Sequence, residues 1–144
     1  MTTLKLIITV ILLSTFKGGT QQLEDYQWKN RVLLFFDVSW ESNAINSQLG
    51  KFSGVREEIV DRDLILFVAT PKGIFTGRGH PQDMQLKDVY NTANVSEKFK
   101  GVVLIGKDGG VKLKKDFEIN PQLVFDLIDS MPMRRAEMRS GKNH

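Results

Sequence analysis

Five apolar residues, Val32 to Phe36, run without interruption between Arg31 and Asp37. An unbroken run of that length buries both faces of a strand, so the sheet that contains it needs a covering layer above and below. Leu64 to Ala69 repeats the pattern, and Val102 to Ile105 is a shorter instance. Helical patterns separate them, which defines an α/β architecture. In open sheets of this kind ligands gather where a central strand ends, and that directs attention to Asp37 through Asn46.

At 144 residues, 41% hydrophobic and 26% charged, the chain makes one domain with a single core. It contains no cysteine. Disulfides, thiolate metal sites, a Cys nucleophile and a lipid-anchored Cys are all excluded. Residues 1–20 read as a secretory signal peptide: Lys5 gives the positive start, Leu6 to Phe16 is uncharged and apolar, and Lys17-Gly18-Gly19-Thr20 supplies small residues. The run is short for a bilayer span. The alternative is an amphipathic or buried N-terminal segment. Export puts the mature chain, 21–139 with a disordered tail at 140–144, in the periplasm or outside the cell, with no transmembrane anchor after processing. Losing Lys5 and Lys17 lowers the formal charge from +3 to +1, which leaves no case for a nucleic-acid partner.

Gln21 to Arg31 is polar, with Tyr26 and Trp28 on one side of an extended lead-in where both would pack. After the first strand, Ser42 caps a helix with Ala44, Ile45, Leu49 and Phe52 on one face, and Gly54 breaks it. Val55 to Val60 completes a right-handed parallel βαβ crossover into the second strand. Lys72 to Asp83, rich in glycine, reads as a long connection or lid, and a short helix follows from about Met84 to Tyr90. Val102 to Ile105 and Val111 to Lys115 flank Gly106-Lys107-Asp108-Gly109-Gly110, a hairpin whose turn requires positive φ. The lysines of the return strand mark a solvated edge. Asn120 and Pro121 open a final helix with the stripe Leu123, Val124, Leu127, Ile128 and Met131; Pro132 breaks it, and Met133 to Arg139 resumes as a basic helix. The order β-α-β-α-β-β-α, with a mixed four-stranded sheet between helical layers, is a thioredoxin-like three-layer sandwich.

Few residues carry chemistry. The glycines at 106–110 sit between two strands, so they make a hairpin rather than a phosphate loop. His80 has only His144 as a second histidine, which is too few for a metal site. Asp37, Ser39, Trp40 and Glu41 form a candidate ligand-facing loop. Its two carboxylates allow acid–base work, or else Asp37 ends the strand and Glu41 favours the helix N-terminus. Arg134, Arg135 and Arg139, interleaved with Met131, Met133 and Met138, form a candidate partner-binding tail, or a solvated helix that docks its methionines. No cofactor or metal is expected.

Leu23-x-x-Tyr26-x-Trp28, the strand Asn30 to Phe36, Arg62-Asp63-Leu64, the Gly106 to Val111 hairpin and the Asp129 to Arg135 close together resemble an uncharacterised bacterial domain family. That family is similar to the C-terminal peroxiredoxin-like or thioredoxin-like domain of sushi-repeat and related extracellular-matrix proteins. The resemblance implies the same fold and an extracytoplasmic life, and it supplies no catalytic residues. Redox-active members of the fold place a Cys at the start of the first crossover helix, where its pKa is lowered, and a proline before the third strand. Val38 to Ala44 holds no thiol, and Phe99-Lys100-Gly101 holds no proline. The reading is a non-catalytic binding or interaction module whose partner is an unknown protein or envelope component. A non-thiol enzyme using the Asp37–Glu41 loop and a structural cell-surface protein are the alternatives. Peroxidase and thiol oxidoreductase activities are not expected.

Overall fold

The computed structural model describes residues 21–141. The segment read as a signal peptide, residues 1–20, lies outside the described residues, as do Lys142, Asn143 and His144. The strand β1 (Arg31–Phe36) stands at the centre of the sheet, buried along its whole length. It pairs in parallel with β2 (Leu64–Thr70) and antiparallel with β5 (Gly101–Ile105). Alternation along β1 explains both covering layers. Val32, Leu34 and Phe36 face one core with Val89, Tyr90 and Ala93 of α3 (Leu86–Ala93). Leu33 and Phe35 face another with Ile45 and Phe52 of α1 (Asn43–Ser53) and Val124, Phe125 and Ile128 of α4 (Pro121–Ser130).

The sheet has six strands in the order β4-β3-β2-β1-β5-β6, not the four expected. The additional pair lies within the segment read as a lid: β3 (Gly73–Thr76) and the two-residue β4 (Pro81–Gln82). Buried Ile74 anchors β3 in the core, and the turn closes by a Thr76 N–H bond from the chain back to the His80 carbonyl at 2.9 Å. Two adjacent apolar residues, Ile74 and Phe75, among glycines are too short a pattern to mark a strand. β3 covers only Phe67 to Thr70 of β2, so Leu64, Ile65 and Leu66 have a strand neighbour on the β1 side alone.

The helices follow their local signals. Ser42 caps α1, with its hydroxyl oxygen accepting the Ile45 N–H at 3.1 Å, and Gly54 ends it. The second crossover helix, α2, is Arg56–Asp61. Asn120 caps α4 by accepting the Gln122 N–H at 3.0 Å, with Pro121 in the first turn. Pro132 begins α5 (Pro132–Arg139). Ser140, assigned from the sequence to a disordered tail, ends α5 and donates its hydroxyl to the Glu137 carbonyl at 2.9 Å.

The lead-in departs from expectation. Leu23–Tyr26 is a short 3-10 helix rather than extended chain, and it turns Tyr26 and Trp28 apart. Tyr26 packs on Phe67 with ring centroids 5.6 Å apart, whereas Trp28 is 64% exposed. The cause is a tight turn: the Trp28 N–H donates to the Lys107 carbonyl at 2.6 Å and Asn30 N–H returns to the Tyr26 carbonyl at 2.8 Å. Trp28 reaches φ +67° to make it.

The first residue of β5 is constrained by space. A Cβ on Gly101 would lie 2.3 Å from the Lys115 carbonyl oxygen of the neighbouring strand β6 (Val111–Lys115). Backbone on a paired strand cannot give way as a flexible side chain would. Gly101→Ala is expected to cost about 2–3 kcal/mol, read as a lowered urea midpoint with an unchanged m-value.

Candidate functional site

The loop after β1 begins while the chain is still in the sheet, with the Asp37 N–H donating to the Ala69 carbonyl at 3.2 Å. Asp37 is buried at 8% exposure, and both carboxylate oxygens are occupied. Oδ1 accepts the Val38 N–H at 2.6 Å, and Oδ2 accepts the Ser42 hydroxyl at 2.7 Å. Since Ser42 also caps α1, Asp37 fixes the angle at which strand becomes helix. Ser39 accepts the Glu41 N–H at 3.1 Å, and both residues face solvent. No hydrogen bond joins Asp37 to Glu41 among the described residues: Asp37 is buried, and Glu41 faces solvent.

Trp40 is half-buried and leans on the β3–β4 turn. Its ring centroid lies 6.0 Å from that of Phe75, and a Cβ on Gly79 would come within 3.2 Å of the indole. Gly79 adopts φ +86°, so glycine serves both the turn and the close approach. The loop therefore presents Val38, Ser39 and Glu41 to solvent while Trp40 braces the neighbouring hairpin. Of the four residues singled out in the sequence, three are exposed or partly exposed on one surface and Asp37 supports them from below.

The opposite end of β1 holds an arrangement that sequence reading missed. Arg31, 1% exposed at the start of the central strand, is held by Glu137 of α5 through two hydrogen bonds of 3.2 Å and donates to the Arg62 carbonyl at 2.9 Å. Lys107, from the β5–β6 hairpin, reaches the same Glu137 at 2.6 Å and Asp63 at 2.8 Å. Arg134 pairs with Asp61 at 2.5 Å and Asp129 at 3.1 Å, and Arg62 binds Asp129 at 2.7 Å. Four cations thus meet four carboxylates. A charge removed from water is tolerable only with partners of this quality.

Arg134 therefore belongs to the interior, with 3% exposure, while Arg135 and Arg139 are exposed. Of the three methionines, Met131 packs against the core, whereas Met133 and Met138 are 37% and 41% exposed. The reason is that α5 is attached through Arg134 and Glu137 on the side facing the body. The signal was available: Asn30-Arg31, Arg62-Asp63, Gly106-Lys107 and Asp129 to Arg135 each place charge at the boundary of a buried element. Those same stretches carry the family resemblance, and the fold brings them to one end.

Burial alone would raise the Glu137 pKa, but hydrogen bonds from Lys107 and Arg31 outweigh it and hold the carboxyl below its ordinary value. Asp129 is likewise penalised by burial and lowered on balance by Arg62 and Arg134. Among the described residues no three His, Asp or Glu side chains converge as a metal site, and no helix is long and apolar enough to cross a membrane.

A central mixed sheet covered on both sides, with an α-helix following the end of its middle strand, is a thioredoxin-like fold. The similarity extends to solved structures. The reduced 2-Cys peroxiredoxin of Plasmodium vivax matches 81% of this chain and 84% of its own, at TM-score 0.55 and 18% identity. Plasmodium yoelii thioredoxin peroxidase I matches 83% of this chain and 81% of its own, at TM-score 0.52 and 16% identity. At such identities the likeness is one of fold. The chain belongs to the family described as domain of unknown function DUF4174, whose model matches residues 22–137.

Two measurements probe these two ends. Carboxylates lowered in the folded state contribute stability above their unfolded pKa and lose it as pH falls through the folded value. The melting temperature should therefore drop as pH is lowered from about 5 towards 3. Glu137→Gln should flatten that dependence and cost about 3 kcal/mol at neutral pH by leaving Arg31 under-paired. At the loop, Asp37→Asn cannot accept at both oxygens, and about 1–2 kcal/mol of stability should be lost in chemical denaturation.

Proposed function

We propose that this chain is an exported, non-redox thioredoxin-like domain that acts as a binding or interaction module in the periplasm or outside the cell. The observation that carries the reading is the start of α1. Ser42 and Asn43 stand where redox-active proteins of this fold place a thiol, and the full sequence contains no cysteine. A thiol peroxidase or disulfide reductase cannot operate without that sulfur. The loop's polar groups also serve structure: Asp37 orients Ser42, and Ser42 caps the helix. What remains is surface, with Val38 at 56% exposure beside Ser39 and Glu41.

Export is supported by the apolar run from Leu6 to Phe16 behind Lys5. The sequence resemblance to domains of extracellular-matrix proteins agrees with it. A protein or other envelope component is the partner this reading requires, met through the loop.

Purified mature protein should consume hydrogen peroxide and reduce insulin at the rate of a buffer blank. Affinity capture from the envelope fraction should retain a partner that the double variant Val38→Asp, Glu41→Arg releases while melting like the parent. Peroxide turnover above blank would end the non-redox reading, and retention unchanged by the double variant would move the binding surface away from this loop.

A further inference from the structure

We propose that the uncovered edge of β2 is a docking site for an extended, acidic peptide segment of a partner protein, which adds a short strand beside Leu64, Ile65 and Leu66. This rests on the reading of the chain as an interaction module and gives the module a second surface and a ligand class.

The first observation is a gap in the sheet. β2 pairs with β1 from Leu64 onward, but β3 stops at Thr76 opposite Phe67. Leu64, Ile65 and Leu66 therefore have no ladder partner on that side, although Gly77 comes up against Leu66, and Ile65 and Leu66 are only half-buried. An extended chain can continue the line of β3 there, taking the place of the missing strand. The stretch is interior to the sheet's length rather than one of its outermost strands, so the usual guard of an edge by its own lysines is absent.

The second observation is the groove that runs beside this edge, of about 590 Å³. Its floor includes Leu49 of α1 and Ile59 of α2, both half-buried, and Leu66. An added strand with apolar residues at alternate positions would place them on that floor, because side chains alternate between the faces of a sheet.

Charge supplies the third. Arg56, Arg78 and His80 line the groove, and no carboxylate does. Their side chains make no ion pair or hydrogen bond among the described residues, whereas Arg31, Arg62 and Arg134 are each held by carboxylates. The hairpin that carries Arg78 and His80 is held rigid, with Thr76 Oγ1 accepting the Arg78 and His80 N–H groups at 3.3 and 3.1 Å. Trp40 braces its tip at Gly79. Two unneutralised arginines, Arg56 and Arg78, beside an open ladder and an apolar floor match a segment that alternates apolar and acidic residues. With only three ladder positions free, the complex is a transient one.

The test uses the mature protein and the blocked peptide acetyl-Val-Glu-Val-Glu-Val-Glu-Val-amide, followed by amide chemical shifts. Saturable binding is expected, with perturbations centred on Leu64 to Leu66 and on Arg78. The double variant Arg56→Glu, Arg78→Glu should weaken binding at least about tenfold while keeping the parent's melting temperature. A peptide with Lys in place of Glu, and one with Pro at the central position, should both fail, because each removes one of the two recognition elements. Equal binding of the Lys or Pro peptide, perturbations elsewhere, or no saturation would overturn the proposal. So would binding of laurate at the groove in place of the peptide, which would assign it to an amphiphile. Any of these results leaves capture through the Val38–Glu41 loop standing, and only peroxide turnover removes the module reading itself.

Discussion

The guanidinium of Arg31 sits at 1% exposure on the first residue of the central strand, and the cost of desolvating it governs how the rest of that end is built. An isolated buried cation would be prohibitive, so carboxylates must be brought to it from elsewhere in the chain. Glu137 arrives on the last helix and serves Lys107 as well. Asp63, at φ +49° on the approach to β2, completes the Lys107 pair. The network joins the beginning of β1, the beginning of β2, the β5–β6 hairpin and the end of α4 to α5. Buried pairs of this kind add little over a well-packed apolar cluster, but they admit few alternative arrangements. They fix where α5 lies, a helix whose single buried residue is Arg134.

The two ends of β1 thus have opposite characters. At the end where α1 starts, polar groups are few and satisfied locally, with Asp37 and Ser42 five residues apart in the chain. At the other end, charge is dense and contributed by distant segments. A similar long-range tie holds the connection after β6: Gln48 of α1, fully buried, donates to the Ile119 carbonyl at 2.9 Å and accepts its N–H at 2.8 Å. The surfaces proposed to meet a second molecule are those around Val38 and at the uncovered edge of β2.

Local physics was legible in the amino-acid sequence. The uninterrupted apolar runs identified three strands, the Asp108-Gly109 turn identified a hairpin, and Ser42, Asn120 and Pro121 located helix starts to the residue. The absence of cysteine removed a whole class of chemistry without any structure. Each of these signals is a property of a few adjacent residues: a periodicity, a required φ, a cap or a missing atom.

What the sequence could not decide was everything that depends on which distant residues meet. Glu137 lies 106 positions from Arg31, and nothing in a basic helix indicates that one of its arginines turns inward and two outward. β3 and β4 exist because β2 offers a ladder and the core accepts Ile74, neither of which is visible in Lys72 to Asp83. Trp28 is exposed because a hairpin from the other end of the chain captures its N–H. Pairing, burial and charge compensation are properties of the assembled sheet, so the tertiary structure alone set the number of strands, the place of α5 and which side chains stay on the surface.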